Sequence, residues 1–456
     1  MTHYDLAIVG TGSGNSLVTP DFDDKRVAII EKGIFGGTCL NVGCIPTKMF
    51  VYAAEVALSV RDAARYGVDA TLDGVRWRDI RDRVFGRIDP IAQGGKDYRV
   101  NGLNTTAYLG TARFTGPREL AVEVDGETHP VTADQIVLSV GAHAVVPEMV
   151  TQSGVPYQTS DTIMRIDELP ASMVILGGGF ISSEFAHVFS ALGVDVTVVT
   201  RGPALLRAED REISEAFTEL ATRQWTVHLD APVEKISGDA RSVTLSLPEG
   251  RRVEAEMLLV ATGREPSTAG LALDKAGVRT HDDGRIVVDE FGRTDADGVW
   301  SLGDASSEHQ LKHVANHEAR AVAHNLTHPG DLRAFDHRYV PSAVFTHPQI
   351  ASVGLTEQEA REAGHDVVTK TQKYGDVAYG WAMEDQTSIA KVVADRATGQ
   401  LLGAHFMGPD ASTLVQPVIQ ALSFGLGVRE MARGQYWIHP ALTEVLENAL
   451  LGLDLD

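Results

Sequence analysis

Twice in this chain a short apolar run ends in a cluster of glycines, and that pattern restricts the fold more than any other feature. Leu6-Ala7-Ile8-Val9 leads into Gly10-Thr11-Gly12-Ser13-Gly14-Asn15, and Val174-Ile175-Leu176 leads into Gly177-Gly178-Gly179-Phe180-Ile181-Ser182. A strand followed by Gly-x-Gly-x-x-Gly predicts a strand–turn–helix unit that binds a dinucleotide. The first glycine makes the turn, the second lets backbone N–H groups approach a pyrophosphate, and the third lets helix and strand pack closely. Both matches are degenerate, with Asn15 and Ser182 in the third place, so each alone also fits an ordinary strand-to-helix turn. Two shorter runs, ending at Gly263-Arg264 and Gly303-Asp304, divide the chain further.

After about Val340 no glycine fingerprint occurs, and strand-like runs at 389–394 and 401–407 precede helical ones at 412–426 and 441–451. The expected fold is α/β, with two Rossmann-like dinucleotide-binding domains and a C-terminal α+β domain. Expected boundaries are 1–147 for the first domain, 148–272 for the second, 273–340 for a segment completing the first, and 341–456 for the last. A chain of 456 residues is too long for one core.

The only two cysteines, Cys39 and Cys44, fall in Gly36-Gly37-Thr38-Cys39-Leu40-Asn41-Val42-Gly43-Cys44-Ile45-Pro46-Thr47-Lys48. Half a zinc site and two chance buried thiols are the alternatives to a redox-active disulfide. Zinc usually takes four ligands at shorter pair spacings, and no second Cys/His cluster completes a set, so no metal is expected. The N-terminus lacks a charged segment followed by an apolar one, and no apolar stretch approaches the ~20 residues of a membrane span. A cytoplasmic protein is therefore expected, and in a reducing compartment a lone cysteine pair points to catalysis. The net charge of −22, from 62 acidic and 40 basic residues, argues against nucleic acids and anionic membranes as partners.

Residues beside the two fingerprints separate the dinucleotides. Strand 27–30 ends in Glu31, where a carboxylate accepts hydrogen bonds from a ribose diol. Strand 194–199 ends in Thr200-Arg201, with Arg207 close behind, so guanidinium groups replace the acid and suit a 2′-phosphate. FAD in the first site and NADPH, rather than NADH, in the second is the assignment that lets hydride become thiolates.

Six motifs in order resemble the flavoprotein disulfide reductases over essentially the whole chain. They are the cysteine stretch, both fingerprints, Ala261-Thr262-Gly263-Arg264, Leu302-Gly303-Asp304, and His439-Pro440-Ala441-Leu442-Thr443-Glu444. The resemblance implies FAD contacts from Glu31 and Asp304, and an ion pair of Lys48 with Glu184 near flavin N5. It also implies a helix opening at Leu311-Lys312-His313-Val314 whose N-terminus faces the flavin. Gly10, Gly12, Gly14, Thr38, Gly141, Gly177, Gly179 and Gly263 complete the expected cofactor set. In the mechanism it implies, hydride passes from NADPH to the flavin, which reduces the disulfide between Cys39 and Cys44. Cys44, opening a helix, stays by the flavin as a thiolate. Cys39 attacks the substrate disulfide, and His439, oriented by Glu444, protonates the departing thiolate. In this family that histidine comes from the second subunit, so a homodimer is implied.

For the substrate, no arginine lies between Gly10 and Lys25, and the short helix expected at 15–18 is cut by Pro20, which weakens glutathione. Arg201 and Arg207 disfavour a lipoamide dehydrogenase, which normally uses NAD. The absence of further cysteines disfavours mercuric-reductase and thioredoxin-reductase roles. Phe180 stands where glutathione reductase has a gating tyrosine. Segments 10–16, 48–55, 374–385 and 432–439 are similar to the branch of the family that reduces mycothione, a disulfide of cysteine joined to amino-sugar and inositol. Trp437 is expected either to stack on that substrate or to fill the dimer interface. The expected function is thus NADPH-dependent reduction of a low-molecular-weight disulfide, with mycothione favoured over glutathione- or lipoamide-type substrates. A non-catalytic electron-transfer flavoprotein is the other class, and Cys39, Cys44, His439 and Glu444 together argue against it.

Overall fold

In the computed structural model, which describes residues 1–455, the first glycine turn leaves the middle of a parallel sheet. Strand Thr2–Val9 lies between Val27–Ile30 and Glu127–Leu138, with Thr105–Tyr108 at the outer edge. Every residue of Val27–Ile30 is buried, which is why its apolar run is unbroken: helices cover a parallel sheet on both faces. The long strand Glu127–Leu138 forks. Its first half pairs antiparallel with Glu119–Val124, which continues into Thr111–Gly116, and its second half pairs parallel with Val299–Ser301. The parallel strands run the same way, so the residues after their C-terminal ends share one edge. Gly10, Glu31, Ser139 and Gly303-Asp304 therefore meet there.

A second parallel sheet has the order Thr226–His228, Asp195–Val199, Ser172–Leu176, Met257–Val260. Gly141 and Gly263 each precede one strand of a small antiparallel ribbon, Ala142–Ala144 with Arg264–Pro266, where the chain crosses between the sheets. The C-terminal part is a five-stranded antiparallel sheet whose central strand, Leu401–Gly408, is buried at every residue. The helix expected over 412–426 is two helices, Ala411–Leu414 and Gln416–Phe424. Pro417, in the first turn of the second, has no N–H to continue the first. The two dinucleotide-type sheets and the C-terminal α+β unit are the fold class expected from the sequence.

Five helices carry or frame the site: α1 (Cys44–Asp62), α2 (Trp77–Val100), α3 (Phe180–Ala191), α4 (Lys312–Thr327) and α5 (Thr443–Leu451). Helix α2 persists through Pro90 because Trp77, Val84, Phe85, Ile88 and Ala92 bury one face, and packing outweighs local propensity. One core joins Phe50 and Val51 of α1, Phe185 and Phe189 of α3, and Val344, Ile350 and Met407 of the C-terminal sheet, fixing the cysteine helix against all three units. A second tie is ionic. Buried Lys391 lies 2.9 Å from Asp210, 2.8 Å from Glu357 and 3.4 Å from Glu212, joining the C-terminal sheet to the second nucleotide unit. Among the described residues no helix is long and apolar enough to cross a membrane.

Candidate active site

Gly10 has φ +103°, and a Cβ there would lie 2.4 Å from the Ser139 carbonyl oxygen, so only glycine turns the chain at this point. A Cβ on Gly14 would lie 2.0 Å from Ser139 Oγ. Gly14 thus makes the close approach expected of the third fingerprint glycine, and Asn15 is released for another contact. The helix expected at 15–18 is instead a 3₁₀ turn, Ser13–Ser16, followed by a second at Pro20–Phe22. Asn15 is gripped by Arg99 from the last turn of α2, whose Nε donates to Oδ1 at 2.8 Å and Nη2 to the carbonyl oxygen at 2.6 Å. A guanidinium therefore does reach the first loop, from far along the chain. It is only 7% exposed and already holds Asn15, and burial without a carboxylate partner lowers its pKa.

Glu31 closes the same loop. Its Oε2 accepts from the Thr11 N–H at 2.9 Å and the Thr11 hydroxyl at 2.6 Å, while Oε1 accepts from the Gly33 N–H at 2.8 Å and keeps a free lone pair. Asp304 makes no side-chain hydrogen bond to another residue among the described residues. Burial raises its pKa, with Arg264 and Lys312 pulling the other way. The Ser306 hydroxyl nearby is buried and unpaired. Such unsatisfied groups beside a glycine loop fit the hydroxyl-rich chain of the FAD expected there. At the opening of α4 the structure places Lys312, not His313, against the loop. Lys312 Nζ donates to Ser13 Oγ at 2.9 Å, and Ser13 Oγ donates to Asn316 Oδ1 at 3.1 Å. His313 turns away to the Pro341 carbonyl oxygen, at 2.9 Å.

In the second fingerprint, the serine in the third place serves the turn itself: Ser182 Oγ donates to the Gly177 carbonyl oxygen at 2.8 Å. Gly179 caps α3, and Phe180 stands exposed at its first position. Arg201 and Arg207 are exposed beyond strand Asp195–Val199. Neither has an ion pair or hydrogen bond among the described residues. The Arg207 side chain folds over Gly202, beside Arg201. Two free guanidinium groups with no carboxylate at the strand end fit a 2′-phosphate.

Thr38 and Cys39 sit in a one-turn helix, Gly37–Asn41, and Cys44 is the first residue of α1. Both cysteines are free thiols, and each perturbs the other. The neighbouring Cys39 thiol lowers Cys44 to about 7, with burial opposing and the Lys48 charge and the Cys44 N–H assisting. Cys39 is pushed up by Cys44 and by burial, while Lys312 pulls it down. Lys48, one turn after Cys44, lies 2.6 and 2.7 Å from the two carboxylate oxygens of Glu184 on α3. The Phe345 N–H donates to Glu184 Oε1 at 2.9 Å, and the Phe345 ring lies 4.5 Å below the ammonium. A cavity of about 520 Å³ opens onto this edge, lined by Cys44, Ile45, Lys48, Met49, Tyr52 and Arg83. The sequence reading missed Tyr52, although 44, 48 and 52 follow one helical face. Arg83 and Phe345 carried no local signal.

His439 and Glu444 meet at the entry to α5, with Nδ1 2.7 Å from Oε1 and the Ala441 N–H donating to Oε2 at 3.2 Å. The hydrogen bond to His439 holds the Glu444 pKa down. The imidazole is 72% exposed, and among the described residues no hydrogen bond or ion pair links it to the cysteines of its own chain. Trp437 faces inward, its indole N–H donating to the Ala432 carbonyl oxygen at 3.1 Å while the ring packs on the C-terminal core. Tyr436, three residues before His439, is fully exposed.

Residues 4–319 match the family described as pyridine nucleotide-disulphide oxidoreductase, and residues 340–450 match the dimerisation domain of the same family. A mycothione reductase of Mycobacterium tuberculosis is 55% identical over 99% of this chain and 100% of its own length. A mercuric reductase of Streptomyces lividans is 34% identical, covering 97% of this chain and 94% of that one. A dihydrolipoyl dehydrogenase of Mycobacterium bovis is 33% identical over 99% and 98%. Among solved structures, the HOCl-induced flavoprotein disulfide reductase RclA of Escherichia coli has a TM-score of 0.85 at 28% identity, covering 98% of this chain and 100% of that one.

Proposed function

The chain belongs to the pyridine nucleotide-disulphide oxidoreductases, and from that membership we propose that it reduces mycothione to two molecules of mycothiol at the expense of NADPH. It is an oxidoreductase that reduces a thiol disulfide, uses FAD and NADPH, and forms a homodimer through its C-terminal domain. The observation that carries the chemistry is the placement of Cys39 and Cys44 on two consecutive helix starts, with Gly37 packed against Gly12 of the first dinucleotide loop.

FAD bound in the first cradle supplies the two-electron link between NADPH and the disulfide of Cys39 and Cys44. Gly10, Gly12, Gly14, Glu31, Thr38, Gly141 and Asp304 would hold it, with Lys48 and Glu184 at its reacting end. Gly177, Gly179, Gly263, Arg201 and Arg207 would hold NADPH. On this reading, 1–147 with 273–340 form the FAD unit, 148–272 the NADPH unit and 341–456 the interface. Once the cysteines are reduced, Cys39 attacks one sulfur of the substrate, forming a mixed disulfide and expelling the first thiolate. His439 of the partner subunit, set in its tautomer by the partner subunit's Glu444, gives that thiolate a proton. Cys44, already close to its thiolate form at neutral pH, then attacks Cys39 sulfur. The internal disulfide reforms and the second thiol leaves.

Mycothione as substrate is supported by the full-length relative of that activity and by the first loop, whose only guanidinium is buried against Asn15 and not free for a carboxylate. The test is thiol counting. Anaerobic NADPH should convert the isolated, oxidised protein to a form in which Cys39 and Cys44 both take an alkylating label, and mycothione should then remove both labelling sites. Labelling that mycothione leaves in place would contradict the substrate, and labelling that NADPH does not induce would contradict the chemistry.

A further inference from the structure

The ion pair beside Cys44 belongs to the first of two polar layers built from the same three elements. Helix α1 supplies Lys48 to the first and, two turns on, Glu55 to the second. Helix α3 supplies Glu184 and then His187. The segment after strand Ser342–Val344 supplies Phe345 and then His347. In the second layer Glu55 bridges two imidazoles: Oε2 lies 3.1 Å from His347 Nδ1, and Oε1 lies 3.1 Å from His187 Nε2. The rings are nearly parallel, at 18° with centroids 6.2 Å apart. His187 is 1% exposed, and the contact to Glu55, off the line of a straight hydrogen bond, is the one polar neighbour of its Nε2.

We propose that Glu55, His187 and His347 are positioning residues: they clamp α1 to α3 and to the C-terminal segment, and so hold the Lys48 ammonium beside Cys44. None of the three lines the cavity at Cys44, so none is offered as a catalytic residue. Their leverage is geometric. A helix is stiff along its axis, and a change in the spacing of α1 and α3 at Glu55 is transmitted to Lys48 on the same face. A carboxylate shared by two imidazoles also resists separation, because parting them would leave His187 Nε2 orphaned in the core. Burial opposes ionisation of Glu55, but the two histidines outweigh it and hold the carboxyl near 2, while Glu55 raises His347; the Glu55 carboxylate is therefore ionised at neutral pH.

This inference rests on the reading of Cys44 as the thiolate-forming cysteine, and the test separates the two. The pH midpoint of Cys44 alkylation is measured by peptide mass spectrometry on reduced holoenzyme, with FAD content and circular dichroism checked for each variant. Glu55→Gln should raise the midpoint by about half a pH unit or more. In a Lys48→Met background, the same substitution should have no effect, because the charge it positions is gone. If Glu55→Gln does not fold, His347→Gln, at the rim of the layer, is expected to give the same pattern. An unmoved midpoint, or an equal shift without Lys48, overturns the clamp. A wild-type Cys44 with an ordinary thiol midpoint overturns the proposed chemistry instead.

Discussion

Replacing Arg201 and Arg207 together by leucine should make the enzyme nearly indifferent to the 2′-phosphate of NADPH. Both side chains are exposed and unpaired, and the strand they follow ends in Thr200 with no carboxylate. Replacement therefore breaks no ion pair or side-chain hydrogen bond and should leave the fold intact. A charge-assisted hydrogen bond to phosphate at such a solvent-screened site contributes about 1 to 1.5 kcal/mol. Losing two costs about 2 to 3 kcal/mol, which corresponds to a fall of roughly 30- to 160-fold in kcat/KM for NADPH. NADH has no 2′-phosphate, so its kcat/KM should change by less than about twofold on the same reasoning. The assay is steady-state oxidation of each nucleotide at a fixed saturating disulfide, repeated at two ionic strengths. Salt should erode the wild-type preference and leave the double variant's unchanged. A drop in the NADPH to NADH ratio of less than about threefold, or a parallel loss with both nucleotides, would refute the assignment of these arginines.

Other perturbations test other parts of the site. In the reduced protein the pH midpoint of Cys44 alkylation should lie near 7, read by mass spectrometry of its peptide; a midpoint at the ordinary thiol value would contradict the lowered Cys44. His439→Gln should leave reduction of the protein by NADPH fast in stopped-flow and slow disulfide turnover by about 10²- to 10⁴-fold; equal slowing of both steps would exclude its role as proton donor. Lys391→Met removes the cation shared by Asp210, Glu357 and Glu212, and should destabilise the protein by about 3–5 kcal/mol in denaturant melts. Asp210 and Glu357 are depressed by Lys391, so the stability they provide is present above their unfolded values and lost as pH falls through the depressed ones. The acid limb of the wild-type stability curve should therefore flatten in the variant.

What the sequence made legible was local. The strand at 27–30 and its terminal Glu31, the glycine turns, and Cys44 opening a helix all depend on a few consecutive residues, and the structure places each where its pattern implied. The spacing of Gly10 and Gly14 was visible, but not that Gly14 abuts Ser139 and frees Asn15, because Ser139 arrives on another strand. Arg99 was invisible as a partner of the first loop for the same reason: it comes from α2, a helix whose Pro90 and glycines conceal it from any propensity argument. Phe345 under Lys48, and the bridge from Glu55 to two histidines, likewise join residues more than a hundred positions apart in the chain. Trp437 was legible only as an aromatic near His439; that its N–H reaches Ala432 and its ring the C-terminal core depends on the packing of that domain.

The central claim, that this Cys39/Cys44 flavoenzyme spends NADPH on mycothione, is tested most directly by one side-by-side assay. A single preparation is given NADPH with mycothione, glutathione disulfide or lipoamide at matched concentrations, with Cys39→Ser as control, and both nucleotide consumed and thiol formed are measured. Mycothione should give a kcat/KM at least about tenfold above the other two, with a pair of thiols formed for each NADPH and none in the control. Equal or faster turnover of glutathione disulfide or lipoamide, or thiol formation that persists without Cys39, would contradict it.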